Sequence, residues 1–102
     1  MAKKKIKNIV WSVNAANDFE QILEYLSENV PEAVDNVHDA IMNTIGSLAT
    51  GYNHHPDDRL KSNNDGTFKA AIQYTYRISY KVDQVNVNIL RIRHTSREPL
   101  NY

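Results

Sequence analysis

Two kinds of hydrophobic periodicity divide this chain and limit what it can fold into. Between Phe19 and Leu48, apolar residues recur three and four positions apart, which is the spacing of one face of an amphipathic helix. Between Phe68 and Val82, apolar and polar residues alternate, which is the spacing of a half-buried strand. A helical segment is therefore followed by a sheet segment.

Proline and glycine set the limits of the helices. Asn14 is a suitable N-cap for the first helix, which must end before Pro31, because proline fits the first turn of a helix and not its interior. The periodic pattern then resumes and continues to Gly51. These signals predict two helices that form a tight antiparallel hairpin.

Four segments have the composition and patterning of strands. They are residues 6–13, 67–73, 74–82 and 85–94. Tyr74, Tyr76 and Tyr80 share the parity of the apolar residues in the third strand, which favours a place in the core over a platform for stacking nucleobases. The last strand has apolar residues of both parities, as a central or bulged strand would.

The predicted architecture is a single α+β domain of residues 1–102 in the order β-α-α-β-β-β. The helical hairpin packs on one face of a mostly antiparallel four-stranded sheet, and the other face is open to solvent. Residues 1–5 form a flexible lead-in, residues 51–66 a long polar loop and residues 95–102 an irregular tail.

The predicted register places Lys69 and Arg77 side by side on the open face. Phe68 and Ile72 then point at the helices, because strand side chains alternate between the two faces. This arrangement needs an odd number of loop residues in the turn near Gln73, since an even number would set Lys69 and Arg77 out of phase.

Composition excludes several classes of protein. The chain has no cysteine, so it forms neither disulfides nor thiolate metal sites. No apolar run follows the lysines of residues 1–5, and the longest apolar stretches are only a few residues long. We expect a cytoplasmic protein without a signal peptide or a membrane span.

Charge is segregated along the chain, although the formal net charge is zero. Residues 8–58 contain nine carboxylates and neither lysine nor arginine. Residues 59–102 contain eight lysines and arginines and three carboxylates. Such asymmetry indicates either a polyanionic partner on the basic side or two separately solvated faces.

Basic residues crowd the last strand and the tail. Arg91 and Arg93 have the parity of apolar residues, so either a bulge exposes them or helix carboxylates pair with them, and we expect an ion pair for at least one. Arg77 and Arg97 are candidates to hold a phosphate, because guanidinium groups make bidentate contacts with phosphate oxygens and stabilise the charge that accumulates when a phosphodiester is cleaved.

If that phosphodiester belongs to RNA, cleavage by the 2′-hydroxyl also needs a general base and a general acid. Tyr102 could be the base if neighbouring cations favour its ionised form, or its ring could stack on a nucleobase. His94 could act as acid or base, or it could be a strand-end histidine bonded to a carbonyl.

The loop contains residues of metal-ligand type, namely His54, His55, Asp57 and Asp58. Adjacent residues in an irregular loop rarely converge on one ion, and no second group has ligand spacing. The chain also has no Gly-rich phosphate loop and no nucleotide fingerprint. We therefore expect neither a metal nor a cofactor.

Four motifs, in this order and spacing, resemble one protein family. They are Val10-Trp11-Ser12, Ile22-Leu23-Glu24-Tyr25-Leu26, Tyr76-Arg77-Ile78-Ser79-Tyr80 and the segment from Ile89 to Pro99. Over nearly its whole length the chain resembles the RelE/ParE toxins of bacterial type II toxin-antitoxin pairs, which include plasmid stabilization proteins. The resemblance implies the fold predicted above, growth arrest, and a cognate antitoxin that binds the toxin in a hetero-oligomer.

The resemblance also implies one of two activities. RelE-like members cleave messenger RNA, usually on the ribosome and without a metal, whereas ParE-like members poison DNA gyrase without catalysis of their own. By position Lys69, Arg77, Arg97 and Tyr102 look like the cleaving residues, although Lys69 could be a solvated strand lysine that protects an edge. A histidine at the position of His94 occurs in both branches. We expect the ribonuclease, with a gyrase poison or a degenerate toxin that only binds its antitoxin as alternatives.

Overall fold

The computed structural model describes residues 6–97, apart from the side chain of Arg97. The helices and strands are β1 (Asn8–Trp11), α1 (Val13–Asn29), α2 (Val34–Gly51), β2 (Phe68–Gln73), β3 (Tyr76–Val82) and β4 (Asn86–His94). Short 3-10 turns at Pro31–Ala33 and Thr95–Arg97 follow α1 and β4. The predicted order of elements is confirmed.

The four strands form one sheet in the order β1-β4-β3-β2. β1 runs parallel to β4, and the other two pairs are antiparallel. The two helices cover one face of this sheet, here called the helix face, and the opposite face is called the distal face. The predicted mostly antiparallel sheet under a helical hairpin is therefore confirmed.

The core lies between the helices and the helix face. Ile41, Ile45 and Leu48 of α2 are buried against Ile78 and Tyr80 of β3. Alternation along β3 and helical spacing along α2 bring these side chains to the same layer. Among the described residues no helix is long and apolar enough to cross a membrane.

The first helix begins two residues earlier than predicted, because Ser12 caps it instead of Asn14. The Ser12 backbone is extended, and its Oγ accepts a hydrogen bond from the Ala15 N–H at 2.9 Å. The same hydroxyl donates to the Leu90 carbonyl at 2.9 Å. Ser12 therefore connects the start of α1 to β4. The local sequence around Ser12 cannot reveal this contact, because Leu90 is far away along the chain.

The turn between β2 and β3 has two residues, and the predicted register is wrong. Gln73 pairs with Tyr76, so Lys69 pairs with Tyr80 on the helix face and Ile72 pairs with Arg77 on the distal face. Directly opposed residues share a face of the sheet. Lys69 and Arg77 therefore lie on opposite faces, as an even turn requires.

Tyr74 lies in that turn and not in the core. Its φ is +54°, and 59% of the residue is exposed. A positive φ at the first residue of a two-residue hairpin turn normally belongs to glycine. The flanking residues are held on both sides, because Thr44 Oγ1 donates to Gln73 Oε1 at 3.1 Å and the Thr95 N–H donates to the Thr75 carbonyl at 2.7 Å. Tyr76 and Tyr80 are buried in the core as predicted.

The long loop, residues 52–67, covers part of the distal face, which was predicted to be open. The Asp58 N–H donates to the Phe68 carbonyl at 2.9 Å, and the Ala70 N–H donates to the Pro56 carbonyl at 3.2 Å. These bonds attach the loop to the outer edge of β2. Leu60 is buried as a result, and Arg77 on β3 is nearly so.

Candidate functional site

Arg77, the central residue of the predicted cleavage site, is paired inside the protein. Its Nη1 lies 3.3 Å from Asp58 Oδ1, and the two side chains are 11% and 0% exposed. The same carboxylate oxygen accepts the Leu60 N–H at 3.0 Å. The loop thus places a buried counter-ion for Arg77 on the distal face.

Lys69 is paired with the neighbouring aspartate of the same loop. Its Nζ lies 3.0 Å from Asp57 Oδ1, and the Asp57 side chain is largely exposed. Asp57 and Lys69 form an isolated antiparallel bridge, so consecutive loop residues reach opposite faces of the sheet. Asp57 forms an ion pair with Lys69 on the helix face, and Asp58 forms one with Arg77 on the distal face.

His94 closes the sheet at the end of β4, on the helix face opposite Tyr76. The two rings meet edge to face with their centroids 5.5 Å apart. The Ser96 N–H donates to His94 Nδ1 at 3.1 Å, so the neutral imidazole carries its proton on Nε2. His94 accepts a backbone N–H and does not bond a carbonyl through Nδ1.

The structure describes three of the five predicted catalytic side chains, and these three are not brought together. Lys69 and Arg77 lie on opposite faces, and His94 lies at the far end of the helix face from Lys69. Tyr102 and the side chain of Arg97 lie outside the described residues. The catalytic roles of all five residues therefore stay predictions.

Arg91 forms the predicted ion pair with a helix carboxylate. Its Nε and Nη2 lie 2.7 and 3.0 Å from the two oxygens of Asp18 on α1, which also accepts the Ile92 N–H at 3.0 Å. The hydrogen bonds to Asp18 raise the pKa of Arg91. The β3–β4 pairing also has a register shift between Ser79 and Tyr80, so β4 has both a bulge and an ion pair.

A groove of about 430 Å³ lies between α1 and the end of β4. Its lining comprises Asp18, Gln21, Ile22, Tyr25, Tyr76, Arg91, Ile92, Arg93, His94 and Ser96. Sequence reasoning missed this groove, because its α1 wall is built from residues that each look ordinary on an amphipathic helix. The spacing of Asp18, Ile22 and Tyr25, four and then three residues apart, is the signal that places them on one stripe.

Three of the four loop residues of metal-ligand type contact other side chains of the protein. Asp57 and Asp58 are in ion pairs, and the His55 ring meets Tyr80 edge to face at 6.3 Å. Burial, and then the nearby His54, lower the pKa of His55. Among residues 6–97 no three histidine or carboxylate side chains are grouped to hold a metal ion.

The core tyrosines do not provide an alternative general base. Burial raises the pKa of Tyr80 to about 12, and its hydroxyl donates to the Tyr52 carbonyl at 3.1 Å. Burial also raises the pKa of Tyr76, with a further contribution from Tyr25. Both phenols are therefore protonated near neutral pH.

The fold is similar to that of solved bacterial toxins. A chain of the chromosomal ParDE toxin-antitoxin system of P. aeruginosa superposes with a TM-score of 0.70 at 17% identity, covering 88% of this chain and 97% of that one. A chain of the Mycobacterium tuberculosis toxin-antitoxin complex RelBE2 gives 0.59 at 19% identity, covering 92% and 97%. The Staphylococcus aureus YoeB dimer gives 0.54 at 22% identity, covering 86% and 95%.

A family model agrees with the structural likeness. No curated protein matches the chain. The model described as ParE toxin of type II toxin-antitoxin system, parDE, matches residues 9–99, which span every helix and strand described above. The chain therefore belongs to the RelE/ParE family and is the toxin component of a type II toxin-antitoxin module.

Proposed function

We propose that this toxin acts by binding its target, DNA gyrase, and does not cleave RNA with a site of its own. The observation that carries the proposal is the buried pair between Arg77 and Asp58. A cation that holds an RNA phosphate must meet solvent and give up other anions, whereas Arg77 is nearly buried against a carboxylate. The match to a ParE family model supports the same choice between the two branches.

The positions of Lys69 and His94 add to this argument. Stabilisation of a phosphorane and proton transfer need groups that converge on one phosphate. Lys69 and Arg77 lie on opposite faces, and the loop gives each its own aspartate. A binding toxin needs no such convergence.

We further propose that a cognate antitoxin neutralises the toxin in a hetero-oligomer. Two of the similar structures were solved as toxin-antitoxin systems, which supports a protein partner of this kind. The antitoxin would have to cover surface that the isolated chain exposes, because neutralisation requires that the target be excluded.

Brief induction of the toxin in cells tests the target. We expect growth arrest, gyrase trapped on cleaved DNA, and RNA 5′ ends that match those of uninduced cells. The double variant Asp58→Asn/Arg77→Met, which removes the buried pair as a unit, should stay toxic if it folds. With purified components, the toxin should inhibit supercoiling by gyrase and leave ribosome-bound RNA intact.

Other outcomes would overturn the proposal. Cleavage of ribosome-bound RNA by the purified chain, lost in Arg77→Met, would assign the toxin to the RNA-cleaving branch. Overexpression without any growth defect would indicate a degenerate toxin that only binds its antitoxin.

A further inference from the structure

The two-residue turn between β2 and β3 holds a tyrosine in a backbone conformation that few residues adopt. Among the described residues, positive φ angles occur at Asn63, Gly66 and Tyr74. Asparagine and glycine often occupy this left-handed region, whereas a bulky side chain there is an outlier. Thr75 does not share the positive φ, so the strain falls on the first turn residue, where a two-residue hairpin normally has glycine.

The Tyr74 side chain gains little from the fold in return for this strain. The residue is 59% exposed, and among residues 6–97 its hydroxyl has no hydrogen-bond partner and its ring has no aromatic or cationic contact. A core tyrosine would contribute apolar burial and a bonded hydroxyl. Strain that packing does not offset is typical of positions that are kept for binding and not for stability.

Hydrogen bonds from outside the hairpin hold both flanks of the turn. Thr44 Oγ1 on α2 donates to Gln73 Oε1 at 3.1 Å, and the Thr95 N–H donates to the Thr75 carbonyl at 2.7 Å. The helix layer and the segment after β4 therefore fix the turn from two directions. Because the backbone is preorganised, the Tyr74 ring can bind a partner at a low cost in conformational entropy.

The chain around Tyr74 carries no charge. Residues 70–76 are all uncharged, although 24% of the whole chain is charged. Proteins that stack aromatic rings on nucleobases also place cations against the nucleic-acid backbone, and this run of residues offers none. An uncharged partner surface therefore fits the turn better than a nucleic acid does.

The position of the turn also limits the shape of its partner. β2 is the outermost strand of the sheet, so the β2–β3 turn lies at a corner of the sheet. Tyr74 and Thr75 are both exposed there, and Ile72, two residues earlier, is 52% exposed. A convex corner with exposed apolar side chains is complementary to an apolar pocket on a folded protein.

We propose that Tyr74 is the anchor by which the toxin binds DNA gyrase, with its ring in an apolar pocket of the enzyme and Ile72 packed at the rim. Tyrosine is enriched among the residues that dominate binding energy, because its ring provides a large contact area with few rotatable bonds. This inference rests on the proposed function, since it names the side chain through which the proposed target is held.

Binding of purified full-length toxin variants to reconstituted gyrase in the presence of DNA tests the anchor. Tyr74→Gly and Tyr74→Asn supply residues that accept a positive φ and remove the ring, so each should weaken gyrase binding at least about tenfold. Inhibition of supercoiling should weaken by a similar factor. DNA alone and the antitoxin encoded with the toxin serve as the comparison partners, and neither should lose affinity.

Two further variants separate the ring from other effects. Tyr74→Phe keeps the ring and should keep the dissociation constant for gyrase within about threefold of the wild-type value. Val85→Ala is the matched control, because Val85 is 55% exposed and lies in the turn between β3 and β4, at the opposite end of the sheet. It should change the dissociation constant less than about twofold. Thermal denaturation checks that every variant folds.

The possible failures are distinguishable. If the wild-type toxin binds gyrase and Tyr74→Gly binds it equally well, the anchor is wrong and the proposed target stands. If the wild-type toxin does not bind gyrase, the proposed target and the anchor fail together. A loss of affinity for DNA alone would assign the ring to a nucleobase, and a loss confined to the antitoxin would assign it to that interface. Either result would overturn the inference.

Discussion

Replacing Asp58 with asparagine tests whether Arg77 is a structural cation. Asparagine has nearly the same shape as aspartate and keeps an oxygen for the Leu60 N–H, which Asp58 Oδ1 accepts at 3.0 Å. It removes the negative charge that faces Arg77 at 3.3 Å. The substitution therefore isolates the charge of a buried pair from its packing.

The expected loss of stability follows from burial. Removal of one partner from a buried ion pair typically costs about 3–5 kcal/mol, because the other charge stays buried. Arg77 keeps a small exposed fraction, so we expect a loss near the lower limit, about 3 kcal/mol. For a domain of this size each kcal/mol lowers Tm by about 4–8 °C, which gives a fall of about 12–24 °C.

Urea denaturation of the purified toxin measures this loss, and the neighbouring aspartate provides the control. Asp57 pairs with Lys69 at 3.0 Å, and although the Lys69 side chain is only 14% exposed, the Asp57 side chain is 59% exposed, so water reaches the pair from one side. An ion pair that water screens contributes about 0–1 kcal/mol, so Asp57→Asn should cost about 1 kcal/mol, clearly less than Asp58→Asn. Asp58→Asn/Arg77→Met should recover most of the loss, since an apolar replacement removes the uncompensated charge.

Equal destabilisation by Asp57→Asn and Asp58→Asn would refute the reasoning. Arg77 would then be a cation that solvent screens, and it would be available to bind a phosphate. A double variant as unstable as Asp58→Asn alone would also count against the buried pair, because it would place the cost in the loop and not in the charge.

Three further predictions concern local structure. Tyr74→Gly should raise the free energy of unfolding by about 1 kcal/mol, because it relieves a positive φ; a lower Tm would contradict this. Asp18→Asn should cost about 1–3 kcal/mol in urea denaturation, against less than about 0.5 kcal/mol for the exposed control Glu20→Gln; equal costs would refute it. The Asn86 N–H, followed by other turn donors, lowers the pKa of Asp83, so the stability that Asp83 contributes is present above about pH 4 and is lost as pH falls through its folded-state pKa. The stability gap between wild type and Asp83→Asn should therefore shrink below about pH 4, and a constant gap would exclude this role.

Local signals were sufficient to predict the elements of the fold. Pro31 and Gly51 mark the boundaries of the helices because their backbone preferences act within a few residues. Composition and patterning identified all four strands for the same reason. The ion pair of Arg91 was also predictable, since a cation with the parity of apolar residues needs a carboxylate if it is to lie near a helix.

The faces of β2 could not be predicted, because they depend on the length of one turn. Continuous alternation from Tyr74 to Val82 hid the turn, since Tyr74 has the parity of Tyr76 and Tyr80. A tyrosine at positive φ is rare, so nothing in the sequence indicates a turn there. One added or missing turn residue moves every β2 side chain to the other face, and with it the position of Lys69 relative to Arg77.

The segregation of charge along the chain serves ion pairs inside the protein, whereas the sequence alone indicated either a polyanionic partner or two separately solvated faces. Asp18, Asp57 and Asp58 come from the acidic half, and their partners Arg91, Lys69 and Arg77 come from the basic half. Each pair joins segments that are distant in sequence, so part of the basic face is neutralised by folding. An RNA phosphate that recruits Arg77 must replace Asp58 and leave that carboxylate buried without this cation. The energy that resists this exchange is of the same order as the cost of breaking the pair, about 3–5 kcal/mol, so the urea titration of Asp58→Asn bears on the toxin's chemistry as well as on its fold.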